Sequence, residues 1–223
     1  MPEETLQPLD EPTLTRPGLL VMDVDSTLID EEVIDLLGDA AGVGDRVARI
    51  TARAMAGELD FAQALRARVA LLQGLPASVF DKVRAAVHFT NGALELIGAL
   101  HDHGWTVGVV SGGFHEVVDD LITDAGIDHA LANRLEVVDG VLTGHVVGPI
   151  VTRDLKRQSL VTWAQADGVP MSQTVALGDG ANDIPMILTA GLGVAFCAKP
   201  AVRAAAPYAV DERDLTRVLD LLR

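Results

Sequence analysis

Four short apolar runs recur along the chain, and stretches with helical periodicity separate them. The runs cover residues 19–22, 105–110, 174–177 and 191–196. Short apolar runs without alternation are typical of strands that are buried on both faces of a parallel sheet. Helical patterns cover residues 92–103, 114–125, 154–167 and 214–222. Strands that alternate with helices predict an α/β fold, with a Rossmann-like open parallel sheet and helices on both faces.

Residues 31–88 interrupt this alternation, because they contain helical periods and no convincing strand. Such an insertion after the first strand is expected to form a helical cap over the sheet. A hairpin is expected at residues 134–147, with Asp139-Gly140 as its turn. We therefore expect three parts. Residues 1–17 form an extended lead-in, residues 18–30 and 89–223 together form the core domain, and residues 31–88 form an inserted cap domain.

The composition favours a folded protein and excludes several classes of partner. Apolar residues make up 49% of the chain, which suffices for a hydrophobic core, and the net charge of −15 repels nucleic acid and anionic lipid. Cys197 is the only cysteine, so an internal disulfide is excluded, and residues 1–17 lack the apolar segment of a signal peptide. We expect a cytoplasmic monomer or homodimer with a small-molecule substrate and no nucleic-acid or membrane partner.

Polar side chains follow three of the predicted strands at their carboxyl ends. Asp23 and Asp25 follow the first strand, Ser111 the second and Asp179 the third. Ligands bind beyond these ends in open parallel sheets, so we expect the side chains to meet. The two aspartates of the first strand could act as nucleophile and acid or base, could bind a metal, or could only cap a turn. Asp179 and Asp183 add hard oxygen donors, which suit Mg²⁺.

Candidate anion ligands complement these carboxylates. Ser111-Gly112-Gly113 is expected to join a strand end to a helix start, where a hydroxyl, backbone amides and a helix N-terminus favour negative charge. Lys156 could add a positive charge beside a phosphate, although a lone lysine is ordinarily solvated. Carboxylates, Mg²⁺, hydroxyl and amide donors and a lysine together predict a phosphoryl-transfer site.

The order and spacing of these motifs resemble the haloacid dehalogenase superfamily. The resemblance rests on Asp23-Val24-Asp25-Ser26-Thr27, Ser111-Gly112, Lys156 and Gly178-Asp179-Gly180-Ala181-Asn182-Asp183. It extends from about residue 19 to the C-terminus and is closest to the members that hydrolyse phosphoserine. It implies a Mg²⁺-dependent phosphoric monoester hydrolase of serine biosynthesis, which converts O-phospho-L-serine to L-serine and phosphate through an aspartyl-phosphate.

The resemblance also implies roles for individual residues. Asp23 is the expected nucleophile, and Asp25 is the expected acid for the leaving alkoxide and then the base for the attacking water. The acid role requires the pKa of Asp25 to rise by roughly 2–3 units from about 3.9. The metal is expected to bind Asp23, Asp179 and the backbone carbonyl of Asp25, with Asp183 as a further or outer ligand. The phosphate is expected to bind Ser111, Gly112 and Lys156, and Asn182 is expected to orient the site.

The cap is expected to bind the amino-acid part of the substrate. Arg68 falls within the apolar stripe of the predicted 61–73 helix, where it could bind a carboxylate, extend into solvent or pair with Asp60. The resemblance favours the carboxylate, and it assigns the substrate ammonium to Glu32, which periodicity alone does not distinguish from Glu31. Two apolar residues could form walls of the site or simply pack in the core: Met55 and Phe61.

Three alternative functions stay open at the level of sequence: a phosphatase for another small ester, a phosphotransferase to an alcohol, and a non-enzymatic phospho-receiver. Glu32 and Arg68 favour an amino-acid substrate over other esters. A receiver would lack an acid or base at Asp25 and the inserted cap. The phosphotransferase shares the first half of the reaction, so the sequence does not separate it from a hydrolase.

Overall fold

The computed structural model describes residues 11–222. These residues contain one seven-stranded sheet. Its strands are β1 (Leu19–Met22), β2 (Thr106–Phe114), β3 (His129–Val138), β4 (Val141–Val147), β5 (Thr174–Gly178), β6 (Leu192–Phe196) and β7 (Tyr208–Val210). The strand order is β4-β3-β2-β1-β5-β6-β7, and every pair is parallel except β3 with β4. The open, mostly parallel α/β sheet predicted from the sequence is confirmed.

Helices connect these strands. They are α1 (Val33–Ala40), α2 (Gly44–Met55), α3 (Phe61–Ala70), α4 (Val79–Arg84), α5 (Ala93–Asp102), α6 (His115–Ala125), α7 (Arg153–Ala166), α8 (Ile184–Ile187) and α9 (Pro200–Ala205). The first four lie between β1 and β2, within the segment for which the sequence predicts a cap. The domain division at residues 31–88 itself stays a prediction. No helix within residues 11–222 is long and apolar enough to cross a membrane.

Alternation along β1 explains why helices cover both faces of the sheet. All four residues of β1 are fully buried, although successive side chains point to opposite faces. Leu20 shares an apolar cluster with residues of α5. Leu19 belongs to a second cluster, which includes Leu160 of α7 and Met186 of α8. The central strand is therefore apolar on both sides, as its unbroken apolar run predicts.

The structure corrects several predicted boundaries. β2 continues to Phe114 and α6 begins at His115, so Ser111-Gly112-Gly113 lies within a strand rather than at a helix start. The helix expected near Ala181 begins only at Ile184, after a turn. The predicted closing helix is a 3₁₀ helix at Leu215–Leu221. β3 starts at His129, ahead of the predicted hairpin, and β7 was not predicted, because its three residues give too short a pattern.

The predicted hairpin is present as β3 and β4. Its turn residues Asp139 and Gly140 have φ values of 51° and 75°, as a two-residue turn with two left-handed positions requires. The hairpin also contacts the chain after α3. The amide of Gly74 donates to the carbonyl of Leu142 at 2.9 Å, and the amide of Leu142 donates to the carbonyl of Leu75 at 2.8 Å. Residues 1–10 of the predicted lead-in lie outside the described residues, and residues 11–17 contain no strand or helix.

Candidate active site

The two aspartates after β1 leave the sheet in different environments. The amide of Asp23 donates to the carbonyl of Leu177 in β5 at 3.2 Å, so Asp23 extends the strand pairing by one residue. Its carboxylate accepts a hydrogen bond from the amide of Val24 at 2.8 Å. Asp25 lies in the tight turn Val24–Leu28. Within the described part of the chain, its Oδ1 is buried and has no hydrogen-bond partner.

Asp179 and Asp183 follow β5, next to these aspartates. Asp183 is fully buried, and its carboxylate accepts a hydrogen bond from the amide of Gly180 at 3.0 Å. A Cβ atom at Gly178 would lie 2.5 Å from the Cβ atom of Asp183, so only glycine leaves room for this carboxylate. The end of β5 thus holds Asp183 in one position.

Three carboxylates form a cluster that fits a metal ion. Asp23, Asp179 and Asp183 are buried, and one oxygen atom from each lies within 4.8 Å of the others. Burial and the charge of Asp23 raise the pKa of Asp183 to about 7. Burial also raises the pKa of Asp179, although the ammonium of Lys199 opposes this. The cluster concentrates negative charge, and its oxygen donors are those that a hard divalent cation prefers.

Lys156 supplies one buried positive charge from α7. Its Nζ lies 2.7 Å from Oδ1 of Asp23 and 2.7 Å from Oδ1 of Asp183, and its side chain is fully buried. Burial alone would lower the pKa of Lys156, but the carboxylates of Asp183 and Asp23 raise it above its ordinary value. The ammonium is therefore charged and held between two carboxylates, beside the position of a bound phosphate expected from the sequence.

Ser111-Gly112-Gly113 brings β2 close to Asp25. The buried hydroxyl of Ser111 accepts a hydrogen bond from the amide of Gly113 at 2.8 Å. A Cβ atom at Gly113 would lie 3.2 Å from Oδ2 of Asp25, and one at Gly112 would lie 3.0 Å from Cζ of Phe61. These glycines let the strand pass between Asp25 and the ring of Phe61, which extends from the first residue of α3.

Burial raises the pKa of Asp25 well above its ordinary value, and the negative charges of Glu32 and Asp23 raise it further. A hydrogen bond from the amide of Val33 and the charge of Lys156 oppose the shift without cancelling it. Such an environment favours the protonated form of this carboxyl group. The direction agrees with the shift that a general acid requires, and the causes are burial and neighbouring carboxylates.

Two opposite charges, on Glu32 just before α1 and on Arg68 of α3, interact electrostatically with Asp25. Glu32 accepts a hydrogen bond from the hydroxyl of Ser26 at 2.8 Å. Burial lowers the pKa of Arg68, while Asp35, Glu32 and Asp25 oppose this, so the guanidinium lies within their field. Nη1 of Arg68 donates to Thr51 at 3.4 Å, and its buried Nε has no partner among residues 11–222. A buried donor atom without a partner, on a half-buried guanidinium, is suited to an incoming anion.

The remaining predicted site residues, Asn182 and Met55, differ in how well their positions fit the predicted roles. Asn182 lies in the turn before α8, with its side-chain oxygen against Gly180. Met55 is 74% exposed at the last residue of α2, which does not support an apolar wall at this position. Cys197 is half-buried and packs against the apolar core.

Two residues that sequence reasoning did not select contribute to the site. Lys199 follows β6, and its Nζ lies 3.2 Å from Oδ2 of Asp179. Its position after a strand end is the same signal that identifies Asp179. Asn133 in β3 is buried, donates to the carbonyl of Gly112 at 2.8 Å and accepts from the amide of Val151 at 2.9 Å. A polar residue within an apolar strand was the available signal for Asn133.

A family model agrees with this geometry. The model for haloacid dehalogenase-like hydrolases matches residues 20–188. The matched region includes Asp23, Ser111, Lys156 and Asp183.

Two named proteins and one solved structure are similar to this chain over most of its length. It is 63% identical over 205 residues to the phosphoserine phosphatase of Streptococcus thermophilus, covering 92% of this chain and 95% of the relative. It is 57% identical over 205 residues to that of Lactococcus lactis subsp. lactis, with the same coverage of 92% and 95%. A solved structure of a phospho-aspartyl intermediate analogue of phosphoserine phosphatase superposes with a TM-score of 0.88 and 43% identity, covering 93% of this chain and all of that chain.

Proposed function

Because the chain belongs to the haloacid dehalogenase-like hydrolase family, we propose that it hydrolyses O-phospho-L-serine to L-serine and phosphate. The observation that carries the substrate is the half-buried pair of opposite charges, Glu32 and Arg68, near Asp25. Phosphoserine carries an ammonium and a carboxylate next to its phosphate, so it requires one partner of each sign. Relatives named phosphoserine phosphatase, at 63% and 57% identity, support the same substrate.

The first step breaks the ester bond. A carboxylate oxygen of Asp23 attacks phosphorus, and the bond from phosphorus to the serine oxygen breaks. Asp25 donates its proton to that oxygen, so serine leaves as a neutral alcohol. Burial and the neighbouring carboxylates raise the pKa of Asp25, which favours its protonated form before the step. Ser111, the amide of Gly112 and Lys156 hold the phosphoryl oxygens, with Asn182 orienting the site.

The second step restores the enzyme. Asp25, now ionised, removes a proton from a water molecule, and the water oxygen attacks phosphorus. The bond between phosphorus and Asp23 breaks, and phosphate is released. Lys156 lies 2.7 Å from Asp23 and stabilises the carboxylate that re-forms. Asp23 and Asp25 then have the protonation states with which they began.

Mg²⁺ is the metal that we propose for the acidic cluster. The carboxylates of Asp23, Asp179 and Asp183 and the backbone carbonyl of Asp25 would hold it, and it would supply positive charge to the phosphoryl oxygens. We further propose that residues 31–88 form a cap that excludes water from the reaction, and that the protein acts in the cytoplasm as a monomer or homodimer.

Phosphate release from a panel of small esters tests the proposal. The panel contains phosphoserine, phosphothreonine, a sugar phosphate and ethyl phosphate, each with Mg²⁺ and with a chelator. We expect repeated turnover that is fastest on phosphoserine and is lost with the chelator. Faster turnover of the sugar phosphate would reject the substrate, and transfer to an added alcohol in place of water would indicate a phosphotransferase. A single slow self-phosphorylation would indicate a receiver.

A further inference from the structure

Two chain segments connect α1–α4 to the sheet, and they lie side by side. We call residues 28–31 and 88–90 the two linkers. Ile29 and Phe89 form an antiparallel bridge. The amide of Asp30 donates to the carbonyl of His88 at 3.0 Å, and the amide of Thr90 donates to the carbonyl of Leu28 at 2.9 Å. Any change in the orientation of α1–α4 relative to the sheet must pass through these linkers.

Arg213, far away in the sequence, binds both linkers. Its Nε donates to the carboxylate of Asp30 at 2.6 Å. Its Nη2 lies 3.3 Å from the carbonyl of Ile29 and 3.4 Å from the hydroxyl of Thr90. The ion pair is partly exposed, so its Coulomb energy alone contributes little. The significance of Arg213 lies in the number of groups that one planar guanidinium holds in place.

The same side chain reaches the turn that carries Asp25. Nη1 of Arg213 lies 3.4 Å from the carbonyl of Ser26. Ser26 has a left-handed φ of 57°, which is unfavourable for serine and must be maintained by surrounding contacts. The hydroxyl of this residue donates to Glu32 at 2.8 Å. Ser26 therefore connects the two side chains: Arg213 contacts its carbonyl, and Glu32 accepts from its hydroxyl.

We propose that Arg213 is a positioning residue for substrate specificity. It fixes both linkers and the conformation of Ser26, and through Ser26 it orients Glu32 toward the substrate ammonium. Arg213 itself contacts no reacting group. The inference rests on the proposed function for the role of Glu32, but the fixing of the linkers does not depend on it.

Steady-state kinetics of Arg213→Ala and Arg213→Lys test the specificity role. The substrates are phosphoserine and 3-phosphonooxypropanoate, which is phosphoserine without its amine. For Arg213→Ala we expect KM for phosphoserine to rise roughly tenfold, with less than about a threefold change in kcat, since Glu32 loses its fixed orientation toward the substrate ammonium. The amine-free ester should change less than about threefold in kcat/KM. Arg213→Lys should recover part of the loss, because it keeps the charge beside Asp30 but not the fork.

Arg217→Ala is the matched control. Arg217 follows in the same C-terminal segment and pairs with Glu212 at 2.9 Å, away from the linkers. It should behave as the wild type on both substrates. Equal losses on both substrates in Arg213→Ala, or no loss on either, would overturn the specificity role. If Arg213→Ala does not fold, the comparison rests on Arg213→Lys.

Hydrogen exchange separates this inference from the proposed function. The amides of Asp30 and Thr90 should exchange at least about fivefold faster in Arg213→Ala than in wild type or Arg217→Ala, because the linkers open more often. Unchanged exchange would overturn the fixing of the linkers. If the wild type does not hydrolyse phosphoserine but exchange increases in the variant, the proposed function fails while Arg213 still fixes the linkers.

Discussion

Two aspartates that are two residues apart differ because their neighbours differ. Asp23 lies 2.7 Å from the ammonium of Lys156, which gives its carboxylate a buried cation as a neighbour. Asp25 has a raised pKa because it is buried near Glu32 and Asp23. The proposed division of roles between nucleophile and acid therefore rests on the surroundings, since the two side chains are chemically identical.

Exchanging each carboxylate for an amide tests this division. Asp23→Asn should lower phosphate release at least roughly 1,000-fold, because it removes the attacking oxygen. Asp25→Asn should lower it roughly 100-fold or more by removing the proton donor, yet bind Mg²⁺ nearly as the wild type does. Phosphate release gives the rates, and calorimetric titration gives the metal affinity. Repeated turnover by Asp23→Asn would contradict its role as nucleophile.

The role of Arg68 is tested by comparing a substrate that carries a carboxylate with one that does not. Arg68→Ala should raise KM for phosphoserine roughly 10–100-fold, the effect of losing a charge-assisted hydrogen bond, and change kcat/KM for ethyl phosphate less than about threefold. Arg66→Ala is the control, because Arg66 lies on the same helix but is exposed. Equal losses on both esters would assign Arg68 to the stability of α1–α4 instead of to the substrate.

At the scale of elements, the sequence predicts most helices and strands, because apolar periodicity follows burial. The fully apolar β1 and the Asp139-Gly140 turn are examples. The polar contacts of the site were harder to predict. Lys199 and Asn133 act through partners that are distant in the sequence, and only the folded sheet brings them together. Met55 shows the converse, since an apolar residue need not be buried.

The contact between β4 and α3 links the sheet to the inserted helices, and glycine makes it possible. A Cβ atom at Gly144 would lie 3.1 Å from Cβ of Gln73 and 3.3 Å from Cα of Ala70. Gly140, in the same hairpin, also has a positive φ, but nothing lies within 4 Å of its Cβ position. The two glycines therefore differ in packing while sharing a left-handed backbone.

Alanine at each position should separate packing from backbone strain. Gly140→Ala should lower the free energy of unfolding by about 1 kcal/mol, the cost of a left-handed alanine. Gly144→Ala should lower it by about 2–3 kcal/mol, because α3 must also move. Urea unfolding monitored by circular dichroism gives both values. Equal losses in the two variants would show that the contact between β4 and α3 accommodates an added methyl group without a packing cost.

For the whole molecule, a net charge of −15 coexists with an expected anionic substrate. The two are compatible because Arg68, Lys156 and Lys199 act at short range within the site, whereas distant surface charges are screened by salt. Within the site, the acidic cluster concentrates negative charge. Without a metal ion, burial and the charge of Asp23 raise the pKa of Asp183.

Stability should therefore depend on pH in a way that Mg²⁺ abolishes. The pKa of Asp183 is raised to about 7 in the folded protein, against 3.8 ordinarily, so between these values the folded state holds a proton that the unfolded chain has released. Raising the pH in this range favours unfolding, by at most about 1.4 kcal/mol per pH unit for one proton. In a chelator, the free energy of unfolding should fall from pH 5 to 7 and then level off.

Urea unfolding from pH 5 to 8.5, in EDTA and in saturating Mg²⁺, measures this dependence. Mg²⁺ binds the ionised carboxylates of the folded state, so stability should no longer fall as the pH rises. Asp183→Asn should show a smaller slope in EDTA than the wild type, with the remainder due to groups such as Asp25, whose pKa is also raised. A variant slope equal to that of the wild type would mean that Asp183 is already ionised in the metal-free protein, and that its repulsion from Asp23 is balanced by Lys156 alone.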